Sequence, residues 1–423
     1  MSYSRYSVYN VTPSGNEYSL ILDGENLTVS VLKNNTISQE EIESAIRSPI
    51  VKRFVKIFLL REDESVVKDI TPWVQLTGSI EKNNNSGQTR SVSLSINNER
   101  VDGISMWTPQ PNCGDLWFYN KIKIVSGLYV ENKIYEVGEG IYVFKDPSLS
   151  DNGANYNISL QCYDKFALLD GTIDGIGDLD YEIPRKTPLY GAFSTMLKLE
   201  RTTGIPFDLK DILFPSKYLN EVTPYTVKKT AENSIGVILK DLSLMISCDI
   251  KYDDNGNMNV IDSLADLDYH NRGVAWNFRN GEFKNPSITL SKSKIKNKVT
   301  VVGANINGRL VKGVAENNNL ESIYNTKGGF GIKATKITDD LLYSSYLCKE
   351  RARYELKKSA QEYASVSMQT IYIPHLEPGD LVRWTYDPWG INQEIFLVNK
   401  ISVPLAAKDW MSITLTNLTE LPL

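Results

Sequence analysis

A stretch ending in Gly-Asp-Leu occurs twice in this chain, and the segments that follow it keep the same order each time. "TPQPNCGDLWF" (108–118) and "IPHLEPGDLVRW" (373–384) each combine a proline-rich turn, Gly-Asp-Leu and an aromatic-bearing strand. After the first come "GIYVFKD" and "NYNISLQ"; after the second come "EIFLVNK" and "DWMSITLTN". Ile141 and Ile158 lie 17 residues apart, Ile395 and Ile413 18 apart, and an aromatic (Tyr156, Trp410) precedes each second core. Glycine before Asp fits a turn that needs positive φ, and Asp can accept a bond from backbone amides just beyond it. Gly114, Asp115, Gly379 and Asp380 are therefore read as structural turn residues. His375 and Glu377 look most like chemistry, but a catalytic set would not be duplicated with its His missing from one copy. The repeat predicts two related β units.

The strands around it alternate. Val92, Leu94 and Ile96 share one face of "RSVSLSI" and Ser91, Ser93 and Ser95 the other, the signature of a half-buried strand. "VKIFLL", "KIKIV", "GIYVFKD" and "YNISLQCYD" belong to the same run. Residues 1–50 read as an arm ending in a short helix, with Ser38 and Glu41 as a capping box and Pro49 as the stop. From about 171 the texture becomes mixed. "TPLYGAFSTMLKLERTTG" predicts a helix with Thr187 as cap, Pro188 first and Gly204 past its end. "SIGVILKDLSLMI" predicts a second, with Ile235, Leu239, Leu242 and Ile246 on one face, running into two short strands at "CDIKYDDNGNMNVID". A long helix over 339–364, presenting Leu341, Ser345, Cys348, Ala352 and Leu356, interrupts the later β region. The expected fold is mainly β with an α+β insert: an arm (1–50), a β-barrel (51–172), an α/β insert (173–281) and a second, related barrel carrying the long helix (282–423).

A net charge of −5 gives no reason for the whole protein to seek DNA or an acidic membrane, and no apolar run approaches the ~18 residues that span a bilayer. The first twenty residues lack the basic-then-apolar order of a signal peptide, so synthesis in a cytoplasm is expected. Cys113, Cys162, Cys248 and Cys348 form no CxxC pair and read as buried reduced thiols. His270 and His375 have no His partner at helical spacing, so no zinc signature exists and no cofactor is expected.

Two barrels flanking an α/β insert resemble the baseplate hub proteins of bacteriophage tails. The residues carrying the resemblance are "QTRSVSLSINNE", "YDKFALLDG", "KNKVTVVG" and "PGDLVRW", in that order over residues 46–423. It implies a structural protein of the virion, assembled in the bacterial host cytoplasm. Its homotrimer would form a pseudo-sixfold ring between a hexameric tail tube or distal tail protein and a threefold spike or tip, around a channel for DNA ejection. The tape-measure protein would be a further partner; a membrane or specific nucleic-acid site would not. The large C-terminal extension of many tail-associated proteins is not expected on this reading.

Sharper readings stand beside this one. "YDDNGNMNV" superficially suggests a calcium loop, but position 262 is Asp and the flanks are strands, so a hairpin is expected. "VVGANINGR" has the wrong glycine spacing for a dinucleotide fingerprint, and "TKGGFGIK" lacks an immediately following helix to complete a phosphate cradle. A peptidoglycan hydrolase needs two facing carboxylates, which the sequence does not announce, and HExxH, Cys-His and GxSxG signatures are missing. A receptor- or polysaccharide-binding role is suggested by Trp107, Trp117 and Trp389, although barrel packing uses the same residues. Lys292, Lys294, Lys296 and Lys298 alternate in "SKSKIKNK", which puts four ammonium groups on one face of a strand. They either protect a solvated edge or contact an acidic partner such as a tube subunit or the tape-measure protein.

Overall fold

Alternation becomes burial as expected. In the strand Arg90–Asn97 the residues Val92, Leu94 and Ile96 are buried, while Ser91, Ser93 and Ser95 face outward to varying degrees. The structure is a computed structural model that describes residues 18–22, 25–29, 37–98, 100–101, 104–105, 119–131, 133–151, 156–176, 180–201, 204–230, 233–262, 273–290, 295–320, 322, 324–328, 331–360 and 364–417. Within these residues the chain is mainly β and is dominated by one large, almost wholly antiparallel sheet. No described helix is long and apolar enough to cross a membrane.

That sheet contains the same arrangement twice. In the first unit the strands lie side by side as Ser79–Asn83, Arg90–Asn97, Tyr156–Asp164, Lys133–Asp151 and Lys121–Val130. In the second the order is Phe283–Leu290, Ala364–Thr370, Met411–Asn417, Ile391–Pro404 and Leu381–Tyr386. Numbered along the chain, both units read first, second, fifth, fourth, third. The two halves of the repeat that follow Gly-Asp-Leu are thus a long strand and its antiparallel neighbour in each case. The first Gly-Asp-Leu turn itself, with Gly114 and Asp115, lies outside the described residues. The units are fused where Ile391–Pro404 pairs with Ser79–Asn83, from Lys400 opposite Asn83 to Pro404 opposite Ser79. One hydrophobic core runs through both, including Ile80, Leu94 and Ile124 on one side and Val366, Trp384 and Leu415 on the other.

Helix α1 (Gln39–Ile46) opens with the capping box, in which the Ser38 hydroxyl accepts from the Glu41 amide and the Glu41 carboxylate accepts from the Ser38 amide. It buries Ile42 and Ile46 against this core. Residues 165–262 form a second body with its own core. Its helix α2 (Leu189–Leu197) ends sooner than the sequence suggests, and Thr187 does not cap it. Pro188 takes the cap position, while the Thr187 hydroxyl donates to the Pro184 carbonyl at 2.7 Å. The Leu189 amide is instead satisfied by the Glu221 carbonyl of a neighbouring segment, which removes the need for a side-chain cap. Gly204 has φ +74° and serves a separate turn closed onto the Arg201 carbonyl. Helix α3 (Ile235–Met245) buries Ile235, Leu239 and Leu242 as expected and leads into the hairpin Cys248–Tyr252 and Met258–Asp262. At its tip the Asp253 carboxylate accepts from the amides of Asn255 and Asn257, so the supposed calcium loop is a self-satisfied turn.

The second unit carries a long insertion between its first two strands. Six residues join Asn83 to Arg90, whereas the corresponding strands Phe283–Leu290 and Ala364–Thr370 are separated by a long excursion. Its described part, from Ile295 to Ala360, builds a separate three-stranded sheet: Lys298–Ile306 in the centre, Arg309–Glu316 antiparallel to it and Ala334–Thr338 parallel. Helix α4 (Ser345–Ala360) lies across one face and buries Cys348, Ala352 and Leu356 against Val299, Val301 and Ala315. This helix begins later than the expected residue 339, because Asp339 starts a turn that buries Leu342 rather than Leu341. The strand Ala334–Thr338, not a helix, follows the glycine-rich stretch, so no phosphate cradle forms there. Cys162, Cys248 and Cys348 are buried free thiols, while Cys113 and His270 lie outside the described residues.

The helix sits close enough to demand glycine. A Cβ on Gly313 would lie 2.2 Å from the Lys349 amide nitrogen and 2.3 Å from the Cys348 carbonyl carbon. Gly313→Ala is therefore expected to lift α4 and destabilise the protein by about 1–3 kcal/mol, as overpacking does. Urea unfolding checks this, and an unchanged midpoint would mean that the helix yields freely.

Candidate functional site

The turn before Leu381 holds the residues that looked most chemical. Gly379 has φ +99°, and its amide donates to the Val398 carbonyl at 2.7 Å. The Asp380 carboxylate accepts from the Glu377 amide at 2.9 Å, three residues before it rather than just beyond it. The reason is that the chain doubles back between them, with the Asp380 amide donating to the Glu377 carbonyl at 3.1 Å. His375 packs 5.8 Å from Trp276, and burial pushes its imidazole below the ordinary value.

Glu377 points from this turn into the first unit. One carboxylate oxygen accepts from Lys82 Nζ at 2.6 Å and the other from Arg90 Nη2 at 3.0 Å. Lys82 and Arg90 face each other across neighbouring strands. Lys82 also pairs with Glu139 Oε2 at 2.6 Å, and both of those side chains are almost completely buried, at 2% and 1% exposure. Arg90 Nη1 donates to the Glu139 carbonyl at 2.9 Å, and so does the Tyr142 hydroxyl at 2.7 Å. The Ser126 hydroxyl donates to Glu139 Oε1 and also meets the Tyr372 hydroxyl of the second unit. The Arg53 guanidinium covers the Tyr372 ring at 3.8 Å. Two cations and two carboxylates thus neutralise one another along the seam between the units.

A second cluster ties the first unit to the body formed by residues 165–262. Lys165, fully buried, donates to Glu64 Oε1 at 2.7 Å, Asp208 Oδ1 at 2.8 Å and the Gly256 carbonyl at 2.9 Å. Lys121 and Lys210 also reach Glu64, at 3.1 and 2.7 Å, and the Tyr252 hydroxyl donates to Asp208 Oδ2 at 2.7 Å. Next to Lys165, Asp164 accepts from the amides of Thr89, Arg90 and Phe166 at 2.7, 2.8 and 3.0 Å.

Glu377 and Glu64 are both held in the ionised form. Despite burial, the Arg90 and Lys82 charges hold the Glu377 carboxyl down at about 2. The lysines around Glu64 hold its carboxyl at about 2 as well. A general acid needs a pKa near the working pH, so neither group can deliver a proton near neutrality. Glu139 and Glu377 flank Lys82, at 2.6 Å to each, so the ammonium fills the space between the two carboxylates.

Comparison with known proteins finds likeness in fold. No family model matches the chain, and no curated protein matches it in sequence. Solved structures do. The 43 kDa tail protein of prophage MuSo2 from Shewanella oneidensis superposes with a TM-score of 0.55 at 13% identity, covering 86% of this chain and 98% of that one. The tail protein from Neisseria meningitidis MC58 gives 0.53 at 9% identity, covering 86% and 97%. The chain has the fold of phage tail proteins. A chain of the Francisella PdpA–VgrG complex also matches, with a TM-score of 0.51 at 11% identity, covering 88% of this chain and 59% of that one.

Within this tail-protein fold the lysine strip is only partly in view. Lys292 and Lys294 lie outside the described residues; Lys298 pairs with Glu316 at 2.5 Å across the three-stranded sheet, and Lys296 precedes that strand. Trp389 is 39% exposed and stands edge-on to Tyr386 and Trp384 at 5.0 and 5.9 Å, while Trp107 and Trp117 are outside the described residues. Sequence reasoning missed Lys82, Arg90 and Glu139. A signal existed: Lys82 shares the inward phase of Ile80, and Arg90 that of Val92, so each is a charge on the buried face of an alternating strand.

Proposed function

We infer that this chain is a structural, non-enzymatic component of a phage tail and serves as a baseplate hub. The duplicated five-strand unit carries this reading. Three copies of a chain with two equivalent units present six of them, which fits a ring standing between a sixfold tube and a threefold tip. On this reading residues 51–172 and 282–423 are two barrel domains, 173–281 the insert and 1–50 an arm. The homotrimer lines the channel for DNA ejection, and its partners are the tail tube or distal tail protein, the spike or tip and the tape-measure protein. The neutralised pair Glu139 and Glu377 supports a scaffold over a hydrolase, and the packing of Trp389 into an aromatic cluster supports it over a polysaccharide-binding protein.

Antibody labelling of intact tails in the electron microscope tests the placement: label is expected at the end of the tail tube, and label along the tube or on the head overturns it. Incubation of the purified protein with labelled cell walls is expected to release no more than an inactive control. Sustained release above that control would make the chain a hydrolase.

A further inference from the structure

The junction inside the chain has a counterpart that stands open. In the second unit the long strand Ile391–Pro404 pairs with Leu381–Tyr386 as far as Leu397. It bulges between Val398 and Lys400, and from Lys400 onward the same edge takes Ser79–Asn83 of the first unit as its neighbour. In the first unit the equivalent strand Lys133–Asp151 pairs with Lys121–Val130 as far as Val143 and bulges between Lys145 and Ser148. Beyond that bulge residues 148–151 pair with Tyr156–Asp164 on one side, and no described strand lies on the other. Leu149 stands opposite Ile158 just as Ile401 stands opposite Ile413. Ile401 is fully buried, whereas Leu149 is 45% exposed and Ser148 and Ser150 beside it are exposed too.

The piece that would fill this place is a first strand, and the chain has one to offer. Phe283–Leu290 is the first strand of the second unit, as Ser79–Asn83 is of the first. Among the described residues it pairs only with Ala364–Thr370, so its outer edge ends the large sheet. Ser287, Ile288 and Thr289 are all exposed, Ile288 to 45%. Both open edges are built from one motif, "FKDPSLS" (144–150) and "FKNPSIT" (283–289). Asp146 and Asn285 take positive φ, +46° and +52°, and the register shifts at the same step, Lys145 to Ser148 and Lys284 to Ser287. A bulge and a proline ordinarily guard an edge against stray pairing. Here each proline sits inside its bulge, which leaves residues 148–150 and 287–289 in regular strand beyond it. There an exposed aliphatic side chain is flanked by small hydroxyls, with no charge to repel a partner strand.

We propose that the outer edge of Phe283–Leu290 in one copy pairs antiparallel with the open edge at residues 148–151 of a second copy. The contact repeats between chains the junction found within one. It joins unlike surfaces, so successive copies close into a ring or extend. This rests on the reading of the chain as a self-assembling tail component, and adds which strands meet.

Sedimentation velocity on the full chain tests it with Leu149→Glu and Ile288→Glu, and circular dichroism checks that each variant is folded. Each variant alone should associate about tenfold or more weakly, since its new carboxylate would have to leave water at the junction. An equimolar mixture should give dimers that grow no further, because each variant retains the edge the other lacks. In the unsubstituted chain, amide hydrogen exchange in segments 144–151 and 283–290 should slow on association, a readout that needs neither variant to fold. Association that survives both substitutions, or exchange that stays fast at both edges, overturns the pairing and leaves the hub reading to the labelling of tails. Dimers formed by either variant alone would mean that each edge pairs with its own kind, which overturns the head-to-tail contact. An unsubstituted chain that stays monomeric at every concentration overturns the self-docking itself.

Discussion

Lys82→Ala is expected to destabilise the protein by about 3–5 kcal/mol, the range found when one partner of a buried ion pair is removed. The ammonium is the hinge of the seam: it bridges the carboxylates of Glu139 and Glu377, at 2.6 Å to each. Without it, the Glu139 side chain, 1% exposed, loses its 2.6 Å partner and keeps the Ser126 hydroxyl on its other oxygen. Lys82→Met, which retains the packed stem, should lose nearly as much, since the charge and not the volume is at issue. Glu377→Gln should lose less, because Lys82 keeps Glu139 at 2.6 Å and the isosteric amide oxygen can still accept one hydrogen bond. Urea unfolding of the three variants measures the order. A loss below about 1 kcal/mol for Lys82→Ala would mean that the seam is hydrated and behaves like a surface pair.

Acid is expected to unfold the protein through the same groups. Glu64 and Glu377 are held at about 2, well below the ordinary 4.5 of a glutamate. A carboxylate depressed by folding adds stability that is fully present above its unfolded pKa and is lost as pH falls through its folded one. Each shift amounts to about 3 kcal/mol, so the two together should remove most of the stability of a typical domain between about pH 4.5 and 2. Asp164 acts in the opposite sense. Burial raises its carboxyl to about 6 although it accepts several hydrogen bonds, so ionising it in the folded state is unfavourable. Its contribution grows as pH falls from about 6 toward 4, which places the stability maximum in a mildly acidic range. Denaturant titrations from pH 8 to about 2.5 test both signs. A profile flat down to pH 3 would refute the role given to Glu64 and Glu377, and Glu64→Gln should blunt the acid limb selectively.

The duplicated unit was legible because it leaves a local trace. The same turn, strand spacing and alternation recur, and pairing follows from them. Helices α1 and α3 were legible for the same reason: a capping box and an apolar stripe act within a few residues. What failed depended on distant partners. Thr187 has the chemistry of a cap, but the segment around Glu221 supplies the acceptor first. The separate sheet of the 295–360 module was hidden, because "KNKVTVVG" alternates equally well whichever sheet receives it. The ionic seam needs Lys82, Glu139 and Glu377, which are scattered along the chain and meet only after both units have formed. Only the phase of Lys82 within its strand hinted that a charge would go inside.

Where the two units join, Ile391–Pro404 runs antiparallel to Ser79–Asn83 over five residue pairs. The two strands are fully registered, so a pull along their axis loads every rung of the ladder together, whereas a pull across them would part the rungs one after another. The molecule is therefore strong along one axis and comparatively weak along another, much as planed wood is along and across its grain.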